Sequence, residues 1–270
     1  MGRPLCFALM FVFVLPLRAQ TSSPSLSSTI SNDFSLYAKL SLHTISSPLR
    51  WQRNDWFVAG GVVGGTFLSS FADEDVLRLM DRNRNSQNTS LQKIAVEYGS
   101  GVSVVLLTGA MYGAGLAFEN EWLRATSVLL ASALSVTVVT ETALKISVGR
   151  ARPYTGLSHD QFRPFSAREE FVSFPSGHTV VAFTLSAVLA ERIGNPWASV
   201  ALYTAATLCA TSRMYSRDHW LSDCIFSGAL SVFTGRSVVK WYEGGMKDDD
   251  ESTGLRLIPA GNRLIVEWRF

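Results

Sequence analysis

"SFPSGHTVVAFTLS", residues 173–186, joins a Pro-Ser-Gly-His cluster directly to an apolar stretch with helical spacing. No period-two alternation runs through it, so it reads as the start of a buried helix. Working outward, apolar stretches at 56–72, 98–118, 123–147, 177–193, 196–213 and 220–240 share that character and are rich in Gly, Ala, Ser and Thr. None alternates as a strand does. The fold class expected is all-α, a helical bundle of about six core helices. The polar stretch between the first two carries Val76, Leu79 and Met80 as a helical stripe and reads as a surface helix and loop.

The ends differ from this core. Arg3, the apolar run "LCFALMFVFVLPL" and a small-residue site after Ala19 read as an export signal over 1–19; a first membrane helix is the alternative. Residues 20–54 are expected to be a Ser-rich leader, loose at least over 20–34, and 55–243 the helical domain. In 244–270 the run "KDDDE" is a solvated linker, and "RLIVEWRF" alternates well enough for a short C-terminal β strand or hairpin. Loss of the signal removes Arg3 and Arg18 and leaves 22 basic and 22 acidic residues, a balance that gives no reason to expect a nucleic-acid partner. Cys209 and Cys224 remain, either paired or as two separate buried thiols.

A full membrane span needs about 20 mostly apolar residues. The stretch 98–118 meets that length, whereas others are near 17 residues and rich in hydroxyls. A membrane-embedded or membrane-associated bundle is favoured over a soluble one. The Gly-rich 56–72 stretch is the best candidate to lie on the bundle without crossing.

Three polar groups sit against these helices. In "KISVGRARP", Lys145 and Arg152 are seven residues apart, one face of a continuing helix, although Pro153 biases Arg152 out of it. In Pro175-Ser176-Gly177-His178, the serine can cap a helix, the glycine admits a close ligand, and the helix N-terminus attracts an anion beside a proton-donating histidine. In "SRMYSRDHWLSD", Arg213 precedes His219, and Asp223 lies one helical turn beyond it, where a carboxylate can fix the imidazole tautomer. Taken singly, each group also has a plain structural reading: an interfacial anchor, an N-cap, a surface ion pair. Arg150, Arg217 and Asp218 stay ambiguous, and Tyr154, Phe174 and Trp220 serve either as packing or as pocket lining.

Together the groups form the ordered signature Lys-x6-Arg-Pro, Pro-Ser-Gly-His, Ser-Arg-x5-His-x3-Asp. Over roughly 55–240 the chain resembles the type 2 phosphatidic acid phosphatase and vanadium haloperoxidase superfamily. The resemblance implies a helical bundle in which His219 is a nucleophile forming a phosphohistidine. It implies that Asp223 orients His219, and that His178 protonates the leaving oxygen and then activates water. Lys145, Arg152 and Arg213 would bind phosphoryl oxygens with the Ser176 hydroxyl and the Gly177 amide. The expected activity is a phosphatase without metal or cofactor, acting on a phosphorylated lipid such as phosphatidic acid or a prenyl diphosphate, in the cell envelope with the site facing outward. The alternatives are a soluble periplasmic acid phosphatase of broad specificity, a vanadate-dependent haloperoxidase, and an inactive envelope binding protein.

Overall fold

The computed structural model describes residues 25–246 and the backbone of 254–260 and 263–269; the expected export signal and the charged run at 247–251 lie outside the described residues. The helices are α1 (Leu26–Ile45), α2 (Arg53–Ser70), α3 (Asp73–Arg82), α4 (Ser86–Glu97), α5 (Gly101–Ala117), α6 (Glu121–Val148), α7 (Gly177–Ile193), α8 (Pro196–Tyr215) and α9 (Leu221–Glu243). Strands β1 (Gly254–Ala260) and β2 (Arg263–Arg269) pair antiparallel. The six apolar stretches correspond to α2 and α5–α9.

α7, the helix that begins in the Pro-Ser-Gly-His cluster, is central and packs on α6, α8 and α9. Leu129, Leu130, Val181, Leu185, Val188, Val238 and Val239 interlock at this junction as a buried core. The helices approach closely because small residues face one another. A Cβ on Gly235 would stand 2.8 Å from the Ala187 Cβ, and one on Gly99 only 2.4 Å from the His178 carbonyl oxygen.

Hydroxyls join the helices where apolar groups do not. Tyr98 meets Ser186 at 2.9 Å, Thr137 meets Thr184 at 3.3 Å, and Ser231 donates to the Val180 carbonyl at 3.0 Å. Many also bond back to their own helix, as Ser127 does to the Leu123 carbonyl, so no buried hydroxyl in this set is left without a partner.

Two stretches differ from the sequence reading. Residues 26–45, expected as part of a loose leader, form α1. Serine content lowers helix propensity, but tertiary contacts override it. Leu40 is fully buried, Ser41 meets Ser132 at 3.0 Å, and Arg124 pairs with Asp33 at 3.1 Å. The polar stretch after α2 forms α3 and α4 and is not simply surface. Val76 and Met80 pack on Ala210, Met214 and Cys224, while Leu79 stays exposed. The two cysteines are separate buried thiols.

Among the described residues, α6 is the one helix that is long and apolar enough to cross a membrane; α4 with α5 passes as a pair bent by 44°. α2 has no buried residue, and Trp56, Phe57, Val63, Phe67 and Leu68 on it are exposed.

α6 ends at Gly149, whose φ of +61° lies in the left-handed region. A Cβ there would meet the Arg163 carbonyl oxygen at 1.8 Å. Gly156 has a similar φ of +73° but open space around it. Gly156→Ala is therefore expected to cost only the left-handed strain, about 1–2 kcal/mol. Gly149→Ala adds a backbone clash and should lower the melting temperature in detergent at least twice as far; equal shifts would contradict this account of the α6 end.

Candidate active site

The three sequence groups converge where the end of α6, the loop 149–176, the start of α7 and the α8–α9 turn meet. Gly149 stops the helix after Lys145, so Lys145 stays on α6 while Arg152 sits on extended backbone, φ −80° and ψ 148°. The two cations reach one region from a helix and a loop, and not from one face of a continuing helix as the spacing allowed. Pro153 explains the break.

His219 also lies outside a helix: α9 begins two residues later. Its Nδ1 hydrogen bonds to the Ser173 carbonyl oxygen at 2.6 Å and stands 3.8 Å from Asp223 Oδ2. A carbonyl only accepts, so Nδ1 carries the proton and Nε2 keeps its lone pair. The tautomer is thus held by Ser173 directly. Asp223 acts through that residue: its Oδ2 accepts from the Ser173 hydroxyl at 2.6 Å and from the Trp220 amide at 2.9 Å. The i,i+4 spacing does bring the Asp223 carboxylate within 3.8 Å of the imidazole, but Asp223 caps the first turn of α9 and the Ser173 carbonyl makes the hydrogen bond. Burial pushes the His219 pKa down from its ordinary value against the opposing pull of Asp223, and Lys145 and Arg152 add to the lowering. The imidazole is kept neutral, the state a nucleophile requires.

The cations surround this histidine. Arg213 pairs with Asp218 at 2.6 Å, and Arg152 reaches the same carboxylate at 3.4 Å. The Nε atoms of both arginines are buried and have no hydrogen-bond partner. Two desolvated, charged donors without acceptors are costly, and an anion with several oxygens satisfies them. Lys145 Nζ pairs with Glu141 Oε1 at 2.5 Å. This pair lies against the first turn of α7: a Cβ on Gly177 would meet Glu141 Oε1 at 3.0 Å and Lys145 Nζ at 3.6 Å. Glycine at 177 leaves that approach unobstructed. His178 follows on the same turn, within electrostatic reach of Lys145, Arg213, Asp218 and His219.

Ser176 is placed differently from expectation. It precedes α7 but does not cap it through its side chain. The hydroxyl is fully buried and shares a 2.9 Å hydrogen bond with Thr179, while its amide donates to Ser227 at 2.8 Å.

Several residues around the site were not singled out from the sequence. Ser173, Glu141 and Asp73 are buried partners brought in by the fold; Asp218, ambiguous in the sequence, faces the two arginines. Arg217 turns away, with φ +61°, to pair with Asp81 on α3 at 2.6 Å. Trp220 is packed, its indole donating to the Ala151 carbonyl at 2.8 Å. His43 stacks on Trp241, and His159 meets Glu74 at 3.3 Å. Among the described residues no group of three or more His, Cys, Asp or Glu side chains could hold a metal ion.

Comparison with known proteins places this constellation. The family model of the PAP2 superfamily matches residues 124–247, the stretch that holds all eight sequence-predicted site residues, and over that stretch the chain resembles that superfamily. A curated relative, the lipid A 1-phosphatase of Porphyromonas gingivalis, is 25% identical over 232 residues, which are 84% of this chain and 48% of the relative. The chain thus spans about half the length of that protein. Two solved structures share the fold. LpxE of Aquifex aeolicus matches with a TM-score of 0.50 and 21% identity over 62% of this chain and 94% of its own. The transmembrane PAP2 type phosphatidylglycerolphosphate phosphatase of Bacillus subtilis matches with 0.53 and 18% over 81% and 98%.

The orphaned Nε donors make the anion pocket testable. Arg152→Lys and Arg213→Lys keep the charge but lose the fork. Each should weaken competitive inhibition by orthovanadate roughly tenfold or more, the worth of one hydrogen bond to a charged group. An unchanged inhibition constant in both variants would remove these arginines from the anion site.

Proposed function

We propose that this chain is a membrane-embedded lipid phosphate phosphatase of the cell envelope that works through a phosphohistidine at His219. The observation that carries the reading is the pair of buried, acceptor-less Nε donors of Arg152 and Arg213 beside an imidazole whose proton is fixed on Nδ1. Phosphoryl transfer asks for just such positioning and charge stabilisation, with an in-line nucleophile.

In the proposed reaction His219 Nε2 attacks phosphorus, and the bond from phosphorus to the lipid oxygen breaks. Burial and the neighbouring Arg213 and His219 lower the His178 pKa to about 4. The negative charge of the bound phosphate favours the protonated form of His178, which then gives its proton to that leaving oxygen. A water then enters; His178, now neutral, takes a proton from it as its oxygen attacks phosphorus. The nitrogen–phosphorus bond breaks, its electron pair returns to Nε2, and inorganic phosphate leaves. Lys145, Arg152 and Arg213 hold the equatorial oxygens together with the Gly177 amide at the α7 N-terminus. The Ser176 hydroxyl, which shares a hydrogen bond with Thr179, joins them when its O–H is turned toward the phosphate.

Two observations support a lipid as substrate. The curated relative is named for a lipid phosphate, and the exposed apolar faces of α2 and α5, with Val102, Val105 and Leu106 on the latter, suit a bilayer. A groove of about 660 Å³ between α2 and α9, lined by Trp51, Val62, Phe226, Ala229, Leu230 and Phe233, begins next to the site. The Phe226 ring meets Phe174, two residues before Ser176, at 4.8 Å. We assign this groove to an acyl chain.

Detergent-solubilised enzyme, treated with chelator, is expected to release phosphate from phosphatidic acid, a prenyl diphosphate or a lipid A 1-phosphate. His219→Ala should abolish release, and His178→Ala should slow it about 10²–10⁴-fold. Activity kept by His219→Ala would refute the mechanism. Ala229→Trp, which fills the groove, should cut kcat/KM for the preferred lipid about tenfold or more and leave p-nitrophenyl phosphate unaffected. Equal losses on both substrates would refute the groove assignment.

A further inference from the structure

A buried cluster stands behind Asp223. Asp73, the first residue of α3, is 1% exposed, and Arg150 is 4% exposed. Arg150 Nη2 pairs with Asp73 Oδ2 at 2.7 Å, and Nη1 with Asp223 Oδ1 at 2.6 Å. Ser222 completes the bridge: its amide and hydroxyl donate to Asp73 at 2.9 and 2.7 Å, and its hydroxyl accepts from Arg150 Nη1 at 2.7 Å. Arg150 Nε donates to the His159 carbonyl at 2.8 Å. The Arg150 carbonyl also accepts from the Ser173 amide at 3.0 Å. One arginine therefore fixes both partners of the His219 system, the carboxylate of Asp223 and the carbonyl-bearing Ser173.

The charges are unequal. Two buried carboxylates share a single guanidinium, whose pKa rises because Asp223 and Asp73 outweigh the burial that opposes its charge. A buried ion pair alone would be neutral; this one carries an excess negative charge behind the imidazole. The ring becomes cationic when Nε2 takes the phosphoryl group, since Nδ1 keeps its proton. Asp73 lies outside the residues that match the family model, on a helix that touches none of the signature residues in sequence.

We propose that Asp73, acting through Arg150, is a positioning residue for the reaction at His219, setting the charge that favours the cationic ring. This inference rests on the reading of His219 as nucleophile. Besides Asp223, the charged and titratable groups around His219 are Lys145, Arg152, His178 and the Arg213–Asp218 pair, and none of them belongs to the cluster.

The test is a charge cycle on the full chain in detergent: Asp73→Asn, Arg150→Gln and the double variant. His219 titration is followed by imidazole nitrogen NMR, and kcat and KM are measured on phosphatidic acid. Asp73→Asn removes a negative charge and should move the His219 titration to lower pH; Arg150→Gln should move it to higher pH. The double variant should return it near the wild-type position. Asp73→Asn should also lower kcat roughly 10–100-fold with KM within about twofold, by analogy with the loss of outer-shell partners that orient ligands in metal sites. If Asp73→Asn does not fold, Asp73→Ser makes the same charge change while keeping an acceptor for the Ser222 amide. A purely structural role would lower the folded fraction without opposite titration shifts. Unmoved titrations in both single variants of an active enzyme overturn the inference alone. A wild type that hydrolyses no lipid, or a His219→Ala variant that keeps activity, overturns the reading beneath it as well.

Discussion

The guanidinium of Arg150 sits at the point where three parts of the chain must agree. It is buried, and each of its three nitrogens finds an acceptor, on α3, on α9 or in the loop between α6 and α7. A buried charge missing one of these partners would cost several kcal/mol. That requirement ties the loop to the helices, and the loop carries Ser173, whose carbonyl fixes the proton of His219. The left-handed turn at Gly149 makes the arrangement possible by ending α6 one residue before Arg150.

The rest of the bundle supports this junction with two kinds of contact. Apolar side chains fill the interior of α6, α7 and α9, and hydroxyls bridge helices where the side chains are small. Such packing holds without a hydrophobic drive between helices, which suits a lipid surrounding. Helices that pass close to one another also keep the start of α7 pressed against α6, where Gly177 admits the Lys145–Glu141 pair.

Much of the fold was legible in the sequence because long apolar stretches without alternation define buried helices. α1 was not, since its serines lower local propensity and its helical state depends on contacts with α6 that lie about ninety residues away. Legibility of the site followed the same division. Spacing drew attention to Lys145, Arg152, His178, Arg213, His219 and Asp223, and the fold brings them to one end of the bundle. Their local geometry was less visible: helical spacing suggested Asp223 as the holder of the His219 proton, yet it stands 3.8 Å away and the Ser173 carbonyl makes the hydrogen bond. The Ser176 hydroxyl, read as a cap, turns to Thr179. Asp73, Glu141 and Asp218 carry no motif of their own. Only their burial or their position between cations distinguishes them, and burial of a carboxylate is set by tertiary contacts.

The central claim is that the phosphoryl group passes through His219. The most direct measurement is rapid quenching into alkali of enzyme turning over a lipid labelled on its phosphate, followed by mass mapping of the labelled peptide. The account predicts a base-stable, acid-labile phosphoryl group on His219, formed faster than turnover and accumulating when His178 is replaced. A label on another residue, or turnover with no covalent intermediate in either enzyme, would contradict it.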